Sequence, residues 1–493
     1  MKSQYDQLLD LENWVRTGNF AFVIKALRKV NSRTIPRDYI VQYANIANRV
    51  DQPRFAYRIL QKVIKNDQRM NVTPSENEKI EYSESLRLMG LIGDAKKILN
   101  GIDSDRYPIV HLRLAFCNIV QWKYDDAISH LQKYINLTST DDYSHQVARV
   151  NLAAALVHAQ ANEEALVLLE KLKEDSRRNG NRLLLGNSLE LMSQIFIQQK
   201  NYELANKTID EAVRVMGDSS SRFYLYLKKW KAICQSLQSQ RVDPEVVNCR
   251  EQARQNKDWE TVRDCDLYIG FVTKDSNLIN HLYFGTPNPY YRKRIKDLLG
   301  TDLELPVNFI WSPSGELPSQ EIFNLLEGSC EISGANMGTG HLMHQLLILL
   351  CSDFYRPLSV STAFSELFPE ESFSQAGSAN RVAQVVKRLR AWFKKNSDLF
   401  SIEGKEGSYR IILQPGAAIR MPQEMPSLSL QSVAWKKLTS GLQSNLFSKQ
   451  DVIQQLGCSR ASAERLLRWA VDSEQVAVIS GGPSRRYRLH KEV

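Results

Sequence analysis

The chain lacks the features that would assign it to a membrane or secreted class. No stretch reaches eighteen consecutive apolar residues, so the sequence predicts no transmembrane helix. The N-terminus, MKSQYDQLLDLENW, carries carboxylates and has no apolar signal-peptide segment. The seven cysteines are odd in number, and no two have CxxC spacing. Because scattered cysteines are typical of reduced thiols, we expect a cytoplasmic protein.

Motifs for catalysis and nucleotide binding are also missing. No GxxxxGK[ST] loop occurs, and no nucleophile motif stands out. The glycine-rich stretch 334–340 lacks a following lysine, which favours a loop between a strand and a helix. His341 and His344 are three residues apart and could form a metal pair, but no third ligand is close, which favours a half-buried helix face. We expect no enzyme activity, no cofactor and no metal.

Charge is distributed unevenly along the 493 residues, a length that predicts two to four domains. Residues 1–300 contain 44 Lys and Arg against 36 Asp and Glu, and residues 301–379 contain one Arg against ten acids. Residues 380–493 contain 19 basic and 9 acidic side chains. The positive charge of the C-terminal half therefore lies in its last 114 residues. This polarity suits a surface that meets phosphate, although a solvated surface could carry the same charge.

A helical pattern with small residues at regular intervals runs through the first 270 residues. One small residue recurs at intervals of 32 to 40, a second precedes it by twelve positions, and an aliphatic residue follows it by four. Small residues let two antiparallel helices approach closely, and the aliphatic residue fills the space one turn later. The three sets are Ala56, Ala95, Ala127, Ala165 and Ala205; Ala44, Ser83, Ala115, Ala153 and Ser193; and Leu60, Leu99, Leu131, Leu169 and Ile209.

This pattern resembles the tetratricopeptide (TPR) repeat, in which small residues occupy the eighth and twentieth positions. The resemblance implies a domain over residues 1–300 built from stacked helical hairpins. We expect six units between residues 3 and 216, a seventh over 222–256, and further helices at Trp259–Thr273 and Tyr290–Leu299. Stacked hairpins form a curved solenoid with a concave surface for a protein or peptide. A spacer or dimerisation arm is the alternative.

Residues 301–413 have a different pattern. Leu303–Trp311 alternates like a strand, and Thr339–Ser352 and Val360–Phe368 are predicted helices. A basic amphipathic helix follows at Ser378–Lys395, and then a hairpin closed by Gly-Ser-Tyr-Arg at 407–410. A helix with one apolar stripe and cationic remaining faces suits insertion into a DNA groove. The stripe consists of Val382, Val386, Leu389 and Phe393.

This segment resembles the C-terminal output domain of OmpR/PhoB-type response regulators. That family has a small N-terminal sheet, three helices and a hairpin wing. Arg388-Leu389-Arg390 matches the sequence of its third helix. Gly404–Arg410 matches its wing, except that Ser408 is inserted. The family's phosphoacceptor domain is absent here. The resemblance implies that five helix residues face the major groove or its phosphates and that two residues lie on the wing. These are Asn380, Arg381, Gln384, Lys387 and Arg388, with Lys405 and Arg410.

Residues 414–426 contain three prolines and a glycine and are predicted to be a linker. Residues 427–493 resemble the generic winged helix-turn-helix of bacterial regulators, with a helix at Val433–Leu442, a capping box at Ser448, a turn at Gly457 and a third helix at Ser459–Ser473. Leu466, Leu467 and Ala470 are predicted to pack inward. The candidate DNA contacts are Arg460, Ser462, Arg465 and Arg468, with Arg485 and Arg486 on the wing.

The sequence thus predicts a mostly α-helical chain, with a TPR-like α-solenoid followed by two small α+β winged-helix domains. The expected function is a transcription regulator whose solenoid senses a protein or peptide and whose tandem winged helices bind duplex DNA. The expected partners are double-stranded DNA and a protein or peptide, with a homodimer possible and no membrane. The alternative is a scaffold subunit of the PCI type, in which the winged helix docks proteins.

Overall fold

The structure is a computed structural model. It describes residues 4–16, 19–32, 34–65, 73–139, 143–217, 222–300, 305–313, 320–369, 371–423, 430–442, 444–480 and 485–490. The chain divides into two compact units. One contains residues 1–304 and 354–379, and the other contains residues 305–353 and 380–493.

The first unit is a series of helices. Successive helices pair as antiparallel hairpins from α3 to α12, and further helices continue the array. They are α1 (Gln4–Arg16), α2 (Phe20–Lys29), α3 (Arg37–Arg49), α4 (Pro53–Lys65), α5 (Glu76–Leu88), α6 (Ile92–Leu99), α7 (Ile109–Val120), α8 (Tyr124–Leu137), α9 (Tyr143–His158), α10 (Asn162–Arg178), α11 (Arg182–Gln198), α12 (Tyr202–Met216), α13 (Arg222–Ser239), α14 (Pro244–Gln255), α15 (Trp259–Thr273), α16 (Ser276–Phe284) and α17 (Pro289–Leu299).

The fifteen small and aliphatic repeat residues form the crossings of these hairpins. All are buried, with relative exposures of 0 or 1%. A side chain larger than serine at the small positions would hold the helices of a pair apart, so these residues set the interhelical distance. The predicted pattern and the TPR-like solenoid are confirmed, and α16 is a helix that the sequence analysis did not predict.

The turn inside each hairpin repeats a backbone conformation that the sequence analysis missed. Five positions before each small residue of the second helix, the chain adopts a positive φ. Glycine is the residue that adopts this conformation without strain, yet only one of the five turns uses it. The five residues are Asp51, Gly90, Trp122, Gln160 and Lys200, with φ of 57°, 84°, 58°, 64° and 60°.

The array of the first unit curves until helices distant in sequence touch. The guanidinium of Arg263 in α15 lies over the Trp122 ring of the α7–α8 turn, 5.9 Å from its centroid. Tyr290 in α17 packs against Tyr124 in α8, with ring centroids 5.2 Å apart, and its hydroxyl donates to Asp125. These contacts close the repeats from α8 to α15 into an arc.

A buried ionic cluster joins α13, α15 and α17 inside this arc. The Asp264 carboxylate lies 2.7 Å from Lys229 Nζ and 3.1 Å from an Arg294 guanidinium nitrogen. Burial opposes ionisation of Asp264, but Lys229 and Arg294 outweigh it and keep its pKa below the ordinary value. Arg294 also donates to the Tyr268 hydroxyl at 3.1 Å. Two cations sharing one carboxylate fix α17 against the array.

The second unit begins with a four-stranded sheet of strand order β1-β7-β2-β3. Phe323 of β2 is fully buried and packs edge-on against Trp392 and Phe400, with centroids 6.0 and 6.2 Å apart. The elements of residues 305–423 are β1 (Asn308–Trp311), β2 (Glu321–Asn324), β3 (Ser329–Cys330), α18 (Leu342–Ser352), β4 (Leu358–Ser359), α19 (Val360–Leu367), α20 (Gln375–Asn396), β5 (Phe400–Lys405), β6 (Ser408–Leu413) and β7 (Ala417–Pro422). Of these, β4, α19 and the first five residues of α20 belong to the first unit.

The predicted linker 414–426 is wrong for most of its described length. Residues Ala417–Pro422 form β7, which pairs antiparallel with β1 and parallel with β2. Ala417, Ala418, Ile419 and Met421 are fully buried. The prolines that suggested a linker lie beside this short apolar run, and Gly416 turns the chain into it with φ +89°. Residues 424–426 lie outside the described residues.

The C-terminal part of the second unit is a small α+β domain. It contains α21 (Leu430–Gly441), β8 (Leu446–Ser448), α22 (Lys449–Leu456), α23 (Arg460–Asp472), β9 (Val476–Ser480) and β10 (Arg486–Leu489). The strands form a sheet of order β8-β10-β9. Trp435, Leu438, Phe447 and Tyr487 share its core with the inward side of α23. The predicted fold class, mostly helical with a solenoid and small α+β domains, is confirmed.

Within the described ranges, no helix combines the length and the apolarity that crossing a membrane requires.

We predict that Ala165→Leu destabilises the solenoid by about 1–3 kcal/mol, because a fully buried crossing cannot accept three more carbon atoms without moving α9 and α10 apart. Val167→Leu introduces the same side chain on the same helix at a position that is 61% exposed. Urea unfolding monitored by circular dichroism measures both. Equal stability of the two variants would contradict the assigned crossing.

Candidate functional site

Helix α20 has one buried face and one exposed face. The predicted stripe is confirmed, since Val382, Val386, Leu389 and Phe393 are at most 1% exposed. Val385, at 2% exposure, widens the stripe beyond the prediction. The buried face packs onto the hairpin, where the rings of Phe393 and Phe400 stack with centroids 5.5 Å apart.

The opposite face of α20 is cationic. Its 22 residues contain six Lys and Arg and no Asp or Glu, so no carboxylate of the helix itself offsets the charge. The five candidate DNA-contacting residues of this helix are all exposed: Asn380, Arg381, Gln384, Lys387 and Arg388. Long cationic side chains and a glutamine share one face, so the helix presents donors for phosphate oxygens and base edges together.

The Arg390 side chain connects α20 to the hairpin. Its Nε and one terminal nitrogen donate to the Ile402 carbonyl oxygen, at 3.1 and 2.8 Å. A guanidinium that donates twice to one carbonyl fixes the angle between helix and strand.

The hairpin β5–β6 turns at Glu406 and Gly407, which have φ of 52° and 76°. Two consecutive positive φ values are typical of the two-residue turn that matches the twist of a hairpin. Ser408 pairs with Lys405 inside the ladder, so the inserted serine lies in the strand and not at the tip. Lys405 is exposed beside the turn, and Arg410 is half-buried opposite Glu403.

The C-terminal domain places two short helices around a tight turn. Ser448 and Asp451 form the predicted capping box at the start of α22, and Gly457 ends that helix with φ 59° and ψ 31°. Helix α23 then starts at the Ser459 cap. The inward residues are confirmed, because Leu466, Leu467 and Ala470 are at most 4% exposed.

The candidate contacts of α23 lie on its exposed side. Arg460, Arg465 and Arg468 are exposed and Ser462 is half-buried. On the second hairpin Arg485 and Arg486 are exposed, and the Arg485 guanidinium lies 5.6 Å from the centroid of the Tyr487 ring. The tip between the two strands, residues 481–484, lies outside the described residues.

One carboxylate interrupts the cationic side of α23. Glu464 Oε1 lies 2.8 Å from Lys449 Nζ and 3.1 Å from Arg460 Nε. The hydrogen bond from Lys449 and then that from Arg460 lower the pKa of Glu464. Arg460 is therefore a second-domain candidate that is held in an ion pair, and the sequence analysis did not identify this pair.

The two histidines of the sequence analysis do not form a metal site. His344 is buried; its Nδ1 accepts from the Gly340 amide at 3.0 Å, and its Nε2 lies 2.8 Å from the Leu325 carbonyl oxygen. Both ring nitrogens are thus engaged, and burial lowers the pKa of His344. His341 is exposed. No cluster of three metal-ligating side chains occurs in the part of the chain that the structure describes.

Comparison with known proteins gives weak similarities only. No family model matches the chain, and no curated protein matches it. The apo form of RapI is 11% identical, covers 57% of this chain and 85% of that chain, and has a TM-score of 0.40.

Two structures of complexes are similarly distant. A Rap protein complexed with competence and sporulation factor is 10% identical over 80% of this chain and 98% of that chain, with a TM-score of 0.41. NprR in complex with its cognate peptide NprX is 12% identical over 62% of this chain and 90% of that chain, with a TM-score of 0.36.

We expect Arg390→Met to destabilise the α20–hairpin unit by roughly 1 kcal/mol, because it removes both hydrogen bonds to Ile402 while keeping an unbranched apolar stem. Lys387→Met removes a charge from the same helix at an exposed position and serves as the control. Amide exchange of residues 400–405 measures the effect. Identical exchange in the two variants would show that Arg390 does not hold the hairpin.

Proposed function

We propose that this protein is a transcription regulator that binds duplex DNA through two winged-helix modules, one at residues 301–413, with β7 as a further strand of its sheet, and one at 427–493. Helix α20 and helix α23 are the recognition helices, and β5–β6 and β9–β10 are the wings. The observation that carries the proposal is the exposed face of α20, where cations stand without an intrahelical carboxylate while the apolar stripe is fully buried. The protein is not an enzyme in this proposal.

The arrangement favours a polyanion over a protein as the partner of α20. Protein interfaces are depleted in lysine and centred on apolar and aromatic side chains. The outward side of α20 instead offers Arg381, Gln384, Lys387 and Arg388, with the apolar residues turned inward. The PCI-type scaffold alternative would need an apolar contact on this face.

The solenoid, in this proposal, binds a protein or a peptide. Helices α3, α5 and α7 share a line of buried polar groups. Glu81 accepts from Asn48 at 2.6 Å, and its other oxygen lies 3.8 Å from Arg113. Asn48 Oδ1 and Arg113 Nε, both buried, have no hydrogen-bond partner among the described residues. A buried acceptor on α3 and a buried donor on α7, with the α5–α6 hairpin between them, suit the amide groups of an extended chain.

Two modules on one chain raise the effective concentration of each at its half of the target. The basic side chains of each module could neutralise roughly five phosphates. The logarithm of the binding constant should therefore fall steeply with the logarithm of salt concentration. Ligand binding to the solenoid would then change the fraction of molecules in which both modules are available to bind DNA.

We predict that filters retain mixed duplex DNA bound to the wild-type protein at low salt and that this binding falls steeply as salt rises. The double variant Lys387→Gln, Arg388→Gln should reduce the slope of log binding constant against log salt concentration by about 2, because each lost phosphate contact removes about 0.9 from that slope. Lys207→Gln, an exposed lysine of the solenoid, is the matched control. A scaffold would show little retention at either salt concentration, and an unchanged slope would remove α20 from the interface.

We expect Glu464→Gln to strengthen DNA binding about two- to tenfold at low salt, because it removes one negative charge and releases Arg460 and Lys449 from their ion pairs. Glu170→Gln on the solenoid, also an exposed glutamate in an ion pair with lysine, controls for net charge. The same filter assay measures both variants. Equal binding by Glu464→Gln and by the control would place α23 outside the DNA interface.

A further inference from the structure

Residues 354–373, here called the clasp, lie between two elements of the proposed DNA-binding module but belong to the solenoid unit. Three separate anchors hold them there. At the first, Tyr355 is buried and its hydroxyl donates to the Asp266 carboxylate of α15 at 2.9 Å. The fully buried Arg263 side chain places its guanidinium 5.1 Å from the Tyr355 ring centroid. Next to it, Arg356 lies 3.1 Å from Glu260.

The second anchor joins α19 to the turn between α5 and α6. The Ser361 hydroxyl donates to the Met89 carbonyl. Gly90, with φ +84°, lies so close that a Cβ there would be 2.9 Å from Thr362 Oγ1. That hydroxyl is itself hydrogen-bonded to Ser359 at 2.8 Å, so it cannot swing away without breaking a bond. The close packing of the clasp on this turn therefore requires glycine at position 90, where a side chain would collide with Thr362.

The third anchor is aromatic. The Tyr57 hydroxyl of α4 donates to the Phe373 carbonyl at 3.3 Å, and the two rings meet edge to face with centroids 6.1 Å apart. Phe373 also packs against Phe364 of α19, with centroids 5.8 Å apart. Because Tyr57 is fully buried, this end of the clasp packs against the core of an early repeat.

The spacing of the anchors constrains the arc. Tyr355 and Ser361 are six residues apart, which a chain spans with at most about 22 Å. Their contacts lie on α15 and on the α5–α6 turn, and nine helices, α6 to α14, separate these along the sequence. The clasp thus links an early repeat to a late one across the opening of the arc, next to the Arg263–Trp122 contact.

We propose that the clasp holds the helical arc closed and is the element through which the solenoid controls the DNA-binding module. A ligand that moves the two contacts farther apart than this segment can span, about 22 Å, must release at least one anchor. The clasp continues in sequence directly into α20, whose residues 375–396 form one helix. By linkage, releasing the clasp and binding such a ligand favour each other. This regulatory role rests on the proposed function; closure of the arc does not.

Hydrogen–deuterium exchange of the full-length protein, without ligand or DNA, tests the closure. Gly90→Ala adds a methyl group against Thr362, and Gly180→Ala is the matched control, since Gly180 also has a positive φ, +65°, but nothing within 4 Å of its Cβ position. Both variants place a side chain at a positive φ, so the control accounts for that conformational cost in kind. We expect exchange over residues 358–368, and also over 119–124 and 259–268, to be about tenfold faster in Gly90→Ala than in Gly180→Ala.

A second variant keeps the test decisive if Gly90→Ala does not fold. Tyr355→Phe retains the ring and removes only the hydroxyl that contacts Asp266, and the same three segments should exchange faster than in the wild type. Equal exchange in variant and control overturns the proposal, and so does faster exchange confined to 358–368.

DNA affinity, measured on filters, then separates the two proposals. A change of at least about threefold in Gly90→Ala relative to Gly180→Ala supports control of the module by the clasp, and equal affinities overturn that control. If the wild type binds no DNA, the proposed function fails, and the exchange result alone decides whether the clasp closes the arc.

Discussion

The solenoid depends on the close approach of paired helices at small side chains. Every alanine or serine of the repeat register is buried to 0 or 1% exposure, and an aliphatic residue one turn later fills the space beside it. Close pairing fixes how each hairpin stacks on the next, and the accumulated rotation brings α15 back to the α7–α8 turn. The anchors of the clasp on α4, on the α5–α6 turn and on α15 exist only because that curvature brings distant repeats together.

The repeats could be predicted because their signal is local and periodic. Residues such as Ala127 and Leu131 show the crossing directly in the sequence. The curvature could not be predicted, since the Arg263–Trp122 and Tyr355–Asp266 contacts join residues far apart in the chain. Strand β7 was mistaken for a linker because Pro415 and Pro422 flank an apolar run of only a few residues, and its burial comes from two strands that are remote in sequence.

The candidate DNA-binding face could be predicted in part. Periodicity separated Val382, Val386, Leu389 and Phe393 from the exposed cations of α20, because a helix with one buried face imposes that spacing. The pairing of Glu464 with Lys449 depends on how α22 meets α23, which single-helix patterns do not contain. The Arg460–Glu464 pair, in contrast, has i,i+4 spacing within α23 and could have been read from the sequence. The assignment of 354–379 to the solenoid unit likewise depends on tertiary contacts and has no sequence signal of its own.

Closure of the arc changes how the solenoid is expected to fold. An open repeat array contacts only its neighbours, so it can nucleate anywhere and lose its terminal repeats one by one. Here Tyr290 meets Asp125 and Arg263 meets Trp122, so a late repeat is stabilised by an early one. Such distant contacts raise contact order, which slows folding. They also protect the ends from fraying, so the array should melt as one cooperative body.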